Sequence, residues 1–331
     1  MSFFSILLAL LIEQVRPLAP GNPVHNGLRV WARWVSRNFD AGRPVHGWIA
    51  WGLATLVPSL LALAIHWGLL HWLGWPYAVV WHVAVLYITL GFRQFSHYFT
   101  DIRDALDEGD EARARAVLAQ WQRVDAADVP RSEVLRHVIE YSVLAAHRHV
   151  FGVLAWYAVL IALGLGPTGA VFYRMCEFVA RYWKHKDNVP DPTASPQLAS
   201  AAARAWAVVD WLPARLTALS FAVVGNFEDA IDGWRNFVQQ QRLPGDNDGV
   251  LLAATAGAVG VRLGGEALRA SMAAQPATAS FEATAEQHDS VSTPGREPEL
   301  GHLRSIVGLV WRSVVMWMLL LALLTMAHLL G

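Results

Sequence analysis

Asp210 and Arg215 sit inside a run that is otherwise apolar from Trp206 to Gly225, with Pro213 between them. Charges at membrane depth are costly, so they usually face a bundle interior or a polar cavity and mark function. Pro213 has no N–H and frees a nearby carbonyl for a polar ligand. The two charges are five residues apart, a poor helical pair unless Pro213 kinks the chain. Two readings stay open, a structural salt bridge and a ligand-facing role.

A second candidate is Arg262, inside the glycine-rich stretch Gly257 to Gly265. Its planar fork suits phosphate or carboxylate. The stretch is not G-x-G-x-x-G, no strand precedes it, and the chain holds no G-x-x-x-x-G-K-[ST]. Anion binding and close helix packing are equally open for it. Arg174, Glu177 and Arg181 stand at i, i+3 and i+7, near one helical face. His147-Arg148-His149 reads as snorkelling groups at a membrane interface, because two histidines at i, i+2 do not share a face. His66, His71 and His82 read as buried polar anchors, since scattered histidines define no ligand set. Cys176 is the only cysteine, which excludes an intramolecular disulfide and a multi-thiolate metal site. No metal site is expected.

The elements that carry these residues are membrane helices. The chain has 331 residues, 54% hydrophobic and only 16% charged, against about 25% charged in soluble domains. Sixteen tryptophans suit a membrane–water interface. The net charge of −1 gives no field for nucleic acid. Met1 to Ile12 reads as a retained first segment, short for a full span. Ile49 to Leu73 and Tyr77 to Phe92 form a hairpin. Val150 to Leu165 is a third span, and Ala170 to Trp183 returns from it but carries charges, so it either packs inside the protein or lies at the interface. Arginines flank the first hairpin, so its ends face the cytoplasm. Thr100 to Ala146 is a polar helical layer broken at Glu108-Gly109-Asp110. Asn226 to Gln241 is amphipathic and Val250 to Ser271 is small-residue helix. Ala273 to Gly301 has little to bury and reads as a disordered linker. Ser313 to Leu330 is a last span. The expected fold is all-α and polytopic, with four to six membrane helices and a cytoplasmic helical layer. Its segments are 1–92, 93–147, 148–272, the linker 273–301 and 302–331.

These segments, in this order, resemble the CobD/CbiB family of membrane proteins. Asn22-Pro23-Val24 with Gly27 is similar to the family's H-P-V…G motif. Ala105 to Asp110, with Ala114-Arg115 and Leu118, is similar to its L-x-x-G-D…A-R-x-x-L helix. Gly166 to Ala170 with Tyr173-Arg174 resembles its G-x-P-G-A…Y-[KR] turn. Asp210…Pro213 to Thr217 resembles D-D…P-A-R-L-T. Asn247…Gly249 and Gly257 to Gly265 resemble N-A-G…G-A-L-G-V-R-L-G-G. The resemblance covers Met1 to Gly265. There are departures: Glu140 to Ala146 stands where the family has E-S-V-A-E-N, and Cys176 to Ala180 where it has N-T-x-D-S.

The resemblance implies amide formation in cobalamin biosynthesis. The free propionate of adenosylcobyric acid, a corrinoid, would be joined to aminopropanol or its phosphate, with ATP and Mg²⁺ expected. It implies catalytic roles for Asp210 and Arg215. It implies substrate-binding roles for Arg115, Arg174, Arg262, Gly264 and Gly265. It also implies a multi-pass protein of the inner membrane, with the lipid bilayer and other corrin-pathway membrane proteins as partners and no nucleic acid. The AmpE family of regulatory membrane proteins is a second resemblance, carried by Leu10…Glu13, Ala180-Arg181-Tyr182 and Asp210 to Leu216. It implies a non-catalytic sensory role.

Overall fold

The computed structural model describes residues 2–16, 23–122, 130–184, 194–240, 246–264 and 293–330. The described chain is helical, and its one ladder contact is a parallel bridge between Val261 and Arg296. The helices are α1 (Ser2–Val15), α2 (Pro23–Phe39), α3 (Pro44–Trp72), α4 (Trp75–Thr89), α5 (Phe92–Asp107), α6 (Glu111–Gln122), α7 (Arg131–Ala146), a π-turn (His147–Phe151), α8 (Gly152–Ala162), α9 (Thr168–Lys184), α10 (Pro196–Val209), α11 (Trp211–Val224), α12 (Phe227–Gln240), α13 (Asn247–Val259) and α14 (Leu300–Leu330).

Three stretches among the described residues are long and apolar enough to cross a bilayer: Pro44–Trp72, Arg131–Ala162 and Leu300–Ala327. The broken pair α10 and α11 makes a fourth if it counts as one span. Four meets the lower bound of the expected four to six and three falls one short of it, because α1 and α4 are apolar but short and a full span needs about 20 residues. α9, expected either to pack inside the protein or to lie at the interface, is not among them. Arg174, Glu177 and Arg181 break its apolar run. The polar layer was expected to stop at Ala146, yet α7 runs on through the π-turn into α8.

Local chemistry explains the boundaries. Pro44 opens α3 and Pro76 lies in the first turn of α4, positions where a missing N–H costs nothing. Gly74 between them takes φ +91°, open to glycine. Gly109 (φ +79°) separates α5 from α6, and Asp110 then accepts the Arg113 N–H at 2.9 Å as an N-cap. α13 stops at Gly260, which is left-handed, so the expected helix to Ser271 ends early. Residues 265–292, most of the expected linker, lie outside the described residues. Its last part is held in place: the Arg262 N–H donates to Arg296 O at 2.7 Å, and the Thr293 N–H donates to Leu263 O at 2.8 Å.

The chain divides into two compact units. One comprises Met1–Gln94, His147–Pro213 and Trp317–Gly331, the other Phe95–Ala146 and Ala214–Met316. In the first, Ala32, Val35, Ala50, Ala54, Met175, Val179, Trp183, Leu198 and Ala202 form a core of mostly small side chains. Small residues let helix backbones approach closely. At Gly169 a Cβ would lie 2.1 Å from the Trp156 carbonyl oxygen, so α8 and α9 meet backbone to backbone. In the second unit α12 packs along α13. There a Cβ at Gly257 would lie 2.1 Å from the Asp229 carbonyl oxygen. Packing therefore accounts for Gly257, and helix termination for Gly260.

Candidate functional site

α10 ends at Asp210, and α11 begins at Trp211. The break is at the aspartate itself, not at the proline. Pro213 is the third residue of α11, in the first turn where N–H groups have no intrahelical partner. Asp210 is fully buried. Its Oδ1 accepts hydrogen bonds from His147 Nε2 at 2.9 Å and the Tyr173 hydroxyl at 2.8 Å. Oδ2 has no hydrogen-bond partner among the described residues. A buried carboxylate oxygen left this way still seeks a donor.

The sequence places the partners of Asp210 by specific local features. His147 opens the π-turn, where the helical register is widened by one residue. Such turns recur at functional sites. His147 is fully buried. The expectation of a snorkelling interfacial group fails for it, because the carboxylate of Asp210 provides the hydrogen bond that water would have given. Tyr173 comes from α9 and is also fully buried. Gly152 makes room for it: a Cβ there would lie 2.1 Å from the phenol oxygen. Trp156 Nε1 donates to the Val209 carbonyl at 3.0 Å and so satisfies one end of α10.

The same unit holds a second charged group. Glu177 pairs with Arg174 at 3.1 Å and with Arg181. Burial alone would raise the Glu177 pKa. Arg181, Arg174 and Arg148 outweigh burial and hold the carboxyl below its ordinary range. His25 is lowered by burial first, then by the charges of Arg174 and Arg29. Arg174 thus stands in a field of basic groups with Glu177 as its near counter-ion.

The remaining expected site residues belong to the second unit. Arg215 Nη1 donates to Asn247 Oδ1 at 3.0 Å. Asp210 belongs to the first unit and Arg215 to the second, and along the chain the helix break lies between them. Arg115 pairs with Glu111 at 2.9 Å along α6, an i,i+4 pair that is part-exposed. Pairs of that kind contribute about 0.3–0.5 kcal/mol. Arg262 is exposed, between the buried Val261 and Leu263. The Gly264 N–H donates to Glu140 Oε1 at 2.6 Å. Gly265 lies outside the described residues, as does Asn22.

Sequence reading missed His147 and Tyr173 as a pair on Asp210, and Glu140 as the partner of Gly264. A signal existed for Tyr173, in the glycine at 152 that clears its ring. His147 reads in the sequence as a snorkelling interfacial group, and its contact with Asp210 spans 63 residues of chain.

The CobD/Cbib protein family matches residues 4–293. A protein of Stutzerimonas stutzeri (strain A1501) named cobalamin biosynthesis protein CobD is 29% identical over 328 residues, 96% of each chain. The protein of that name from Chromobacterium violaceum is 34% identical over 186 residues, 56% of this chain and 55% of the other. That from Pelobacter propionicus is 30% identical over 167 residues, 50% of this chain and 49% of the other. No solved structure matches the chain.

Proposed function

Because this chain belongs to the CobD/Cbib protein family, we propose that it works in cobalamin biosynthesis and forms an amide. The acid is the free propionate of adenosylcobyric acid. The amine is aminopropanol or its phosphate. The observation that carries this reading is the extent of the match, which runs from residue 4 to 293 and so takes in Asp210, Arg174 and Arg215 alike.

The chemistry sets requirements that these residues suit. A carboxylate does not react with an amine until one carboxyl oxygen becomes a leaving group, and ATP would supply that activation. The amine nitrogen then bonds to the carboxyl carbon, gives up a proton, and the activated oxygen departs. Arg174, buried among basic groups, suits the anionic propionate. Asp210 Oδ2 is an acceptor suited to an amide N–H of a corrinoid side chain. Arg215, oriented by Asn247, and Arg262 suit phosphate oxygens. Among the described residues, no group of three or more His, Cys, Asp or Glu side chains is placed to hold a metal ion.

The three long apolar helices support a multi-pass protein, and the arginines around the first hairpin support an inner-membrane orientation with those ends cytoplasmic. The test is incubation of the purified full chain with adenosylcobyric acid, 1-aminopropan-2-ol O-phosphate, ATP and Mg²⁺. The expected result is an amide product seen by mass. No product, from protein that binds the corrinoid, would favour a non-catalytic role of the AmpE kind.

A further inference from the structure

α7 carries a polar stripe that the sequence reading did not assign. Glu133, Arg136, His137 and Glu140 stand at i, i+3, i+4 and i+7, on one face of the helix. The side chain of Glu140 is 0% exposed and that of Arg136 13%, and His137 is buried as well. Polar atoms this deep are normally hydrogen-bonded. Three on this stripe have no hydrogen-bond partner among the described residues: Arg136 Nε, His137 Nδ1 and Glu140 Oε2.

The geometry around them is fixed rather than loose. The other oxygen of Glu140 takes the Gly264 N–H at 2.6 Å. The far end of Arg136 pairs with Glu133. Arg136 Nε stays 4.0 Å from Glu140 Oε1, beyond hydrogen-bond reach. The stripe thus presents an anchored acceptor, an anchored donor, and an imidazole nitrogen that can serve as either. A simple anion would satisfy Arg136 and be repelled by Glu140. A simple cation would do the reverse. A small molecule with a cationic N–H close to an oxygen acceptor satisfies both.

We infer that Arg136, His137 and Glu140 form the subsite for the amine donor. The ammonium donates to Glu140 Oε2. The hydroxyl or phosphate oxygen two carbons away accepts from Arg136 Nε, and His137 Nδ1 takes whichever partner is nearer. This assignment rests on the amide-forming reading for the identity of the donor. Its geometry calls for a small ligand with a cationic N–H close to an oxygen acceptor in any case.

The test is calorimetric titration of the full chain in lipid nanodiscs, with adenosylcobyric acid saturating. The probes are 1-aminopropan-2-ol O-phosphate and propan-2-yl phosphate, which lacks the amine. Glu140→Gln should weaken the amine-bearing probe by about ten- to a hundredfold, the worth of one charged hydrogen bond. It should leave the amine-free probe unchanged. Arg136→Gln should weaken both phosphates, and it carries the test alone if Glu140→Gln does not fold. Wild-type affinity for the amine in Glu140→Gln would overturn the assignment, as would equal losses for both probes or a wild type that binds neither. Amide formation with an unchanged KM for the amine in Glu140→Gln sinks the subsite and spares the synthase reading. Selective binding loss in a protein that forms no amide does the opposite.

Discussion

His147 Nε2 and Asp210 Oδ1 meet at 2.9 Å across 63 residues of chain. The contact joins the widened turn that opens α8 to the break that closes α10, and both side chains are buried. Tyr173 reaches the same oxygen. Removing the carboxylate strands two buried donors, at about 1–3 kcal/mol each. Asp210→Ala should therefore lower the melting temperature in detergent clearly. Asp210→Asn should lower it less, because an amide oxygen still accepts. Equal melting of wild type and Asp210→Ala would mean that the cluster is not formed.

Glycines give a prediction with opposite signs at different positions. At Gly169 and at Gly257 a Cβ would stand 2.1 Å from a carbonyl oxygen of a neighbouring helix. Backbone cannot yield as a flexible side chain can. Gly169→Ala and Gly257→Ala should each destabilise by about 1–3 kcal/mol, the range for overpacking. Gly68 lies inside α3 with nothing within 4 Å of an added Cβ. Gly68→Ala should be neutral or stabilise by up to about 1 kcal/mol. Denaturation of the three variants side by side checks the contrast. A destabilised Gly68→Ala beside a neutral Gly257→Ala would contradict the packing described for α12 and α13.

The buried Glu177 sets a pH dependence. Its folded pKa lies below the ordinary carboxylate value, so the folded state holds fewer protons than the unfolded one as the pH falls. The stability it contributes is complete above the unfolded value, near 4.5. It is lost as the pH drops through the folded value. Wild-type melting should thus fall on acidification below about pH 4.5 more steeply than that of Glu177→Gln, which has no such group to titrate. Parallel curves for the two proteins would remove Glu177 from the account.

Much of this was legible in the sequence, for identifiable reasons. Long apolar runs have few alternatives, so α3 and the C-terminal helix were visible, and Glu108-Gly109-Asp110 marked a break that the structure keeps. Asp210 stood out because a carboxylate in an apolar run must have partners. Which partners was not legible. His147 and Tyr173 approach it across 63 and 37 residues of chain, and helical spacing says nothing at such range. Glu140 and Gly264 meet across 124 residues for the same reason. The hold on Arg262 through Arg296 was hidden as well. Residues of low apolar content were read as disordered, and a few backbone hydrogen bonds order part of them.

Arg215 and Asn247 offer a test of the second unit. Asn247 Oδ1 accepts from Arg215 Nη1 at 3.0 Å and so aims the guanidinium. Arg215→Ala should lower kcat/KM by about a hundredfold, the order seen when one preorganised donor is lost. Asn247→Ala should have a smaller effect in the same direction, since the charge remains but its orientation is freed. A larger loss in Asn247→Ala than in Arg215→Ala would reverse the roles assigned to the two residues.

The most direct test is complementation of a strain that lacks its adenosylcobinamide-phosphate synthase, grown where cobalamin is required and cobyric acid is supplied. Wild-type protein should restore growth, and Arg215→Ala at equal membrane abundance should not. Failure of the wild-type protein, present in the membrane, would contradict the amide-forming reading.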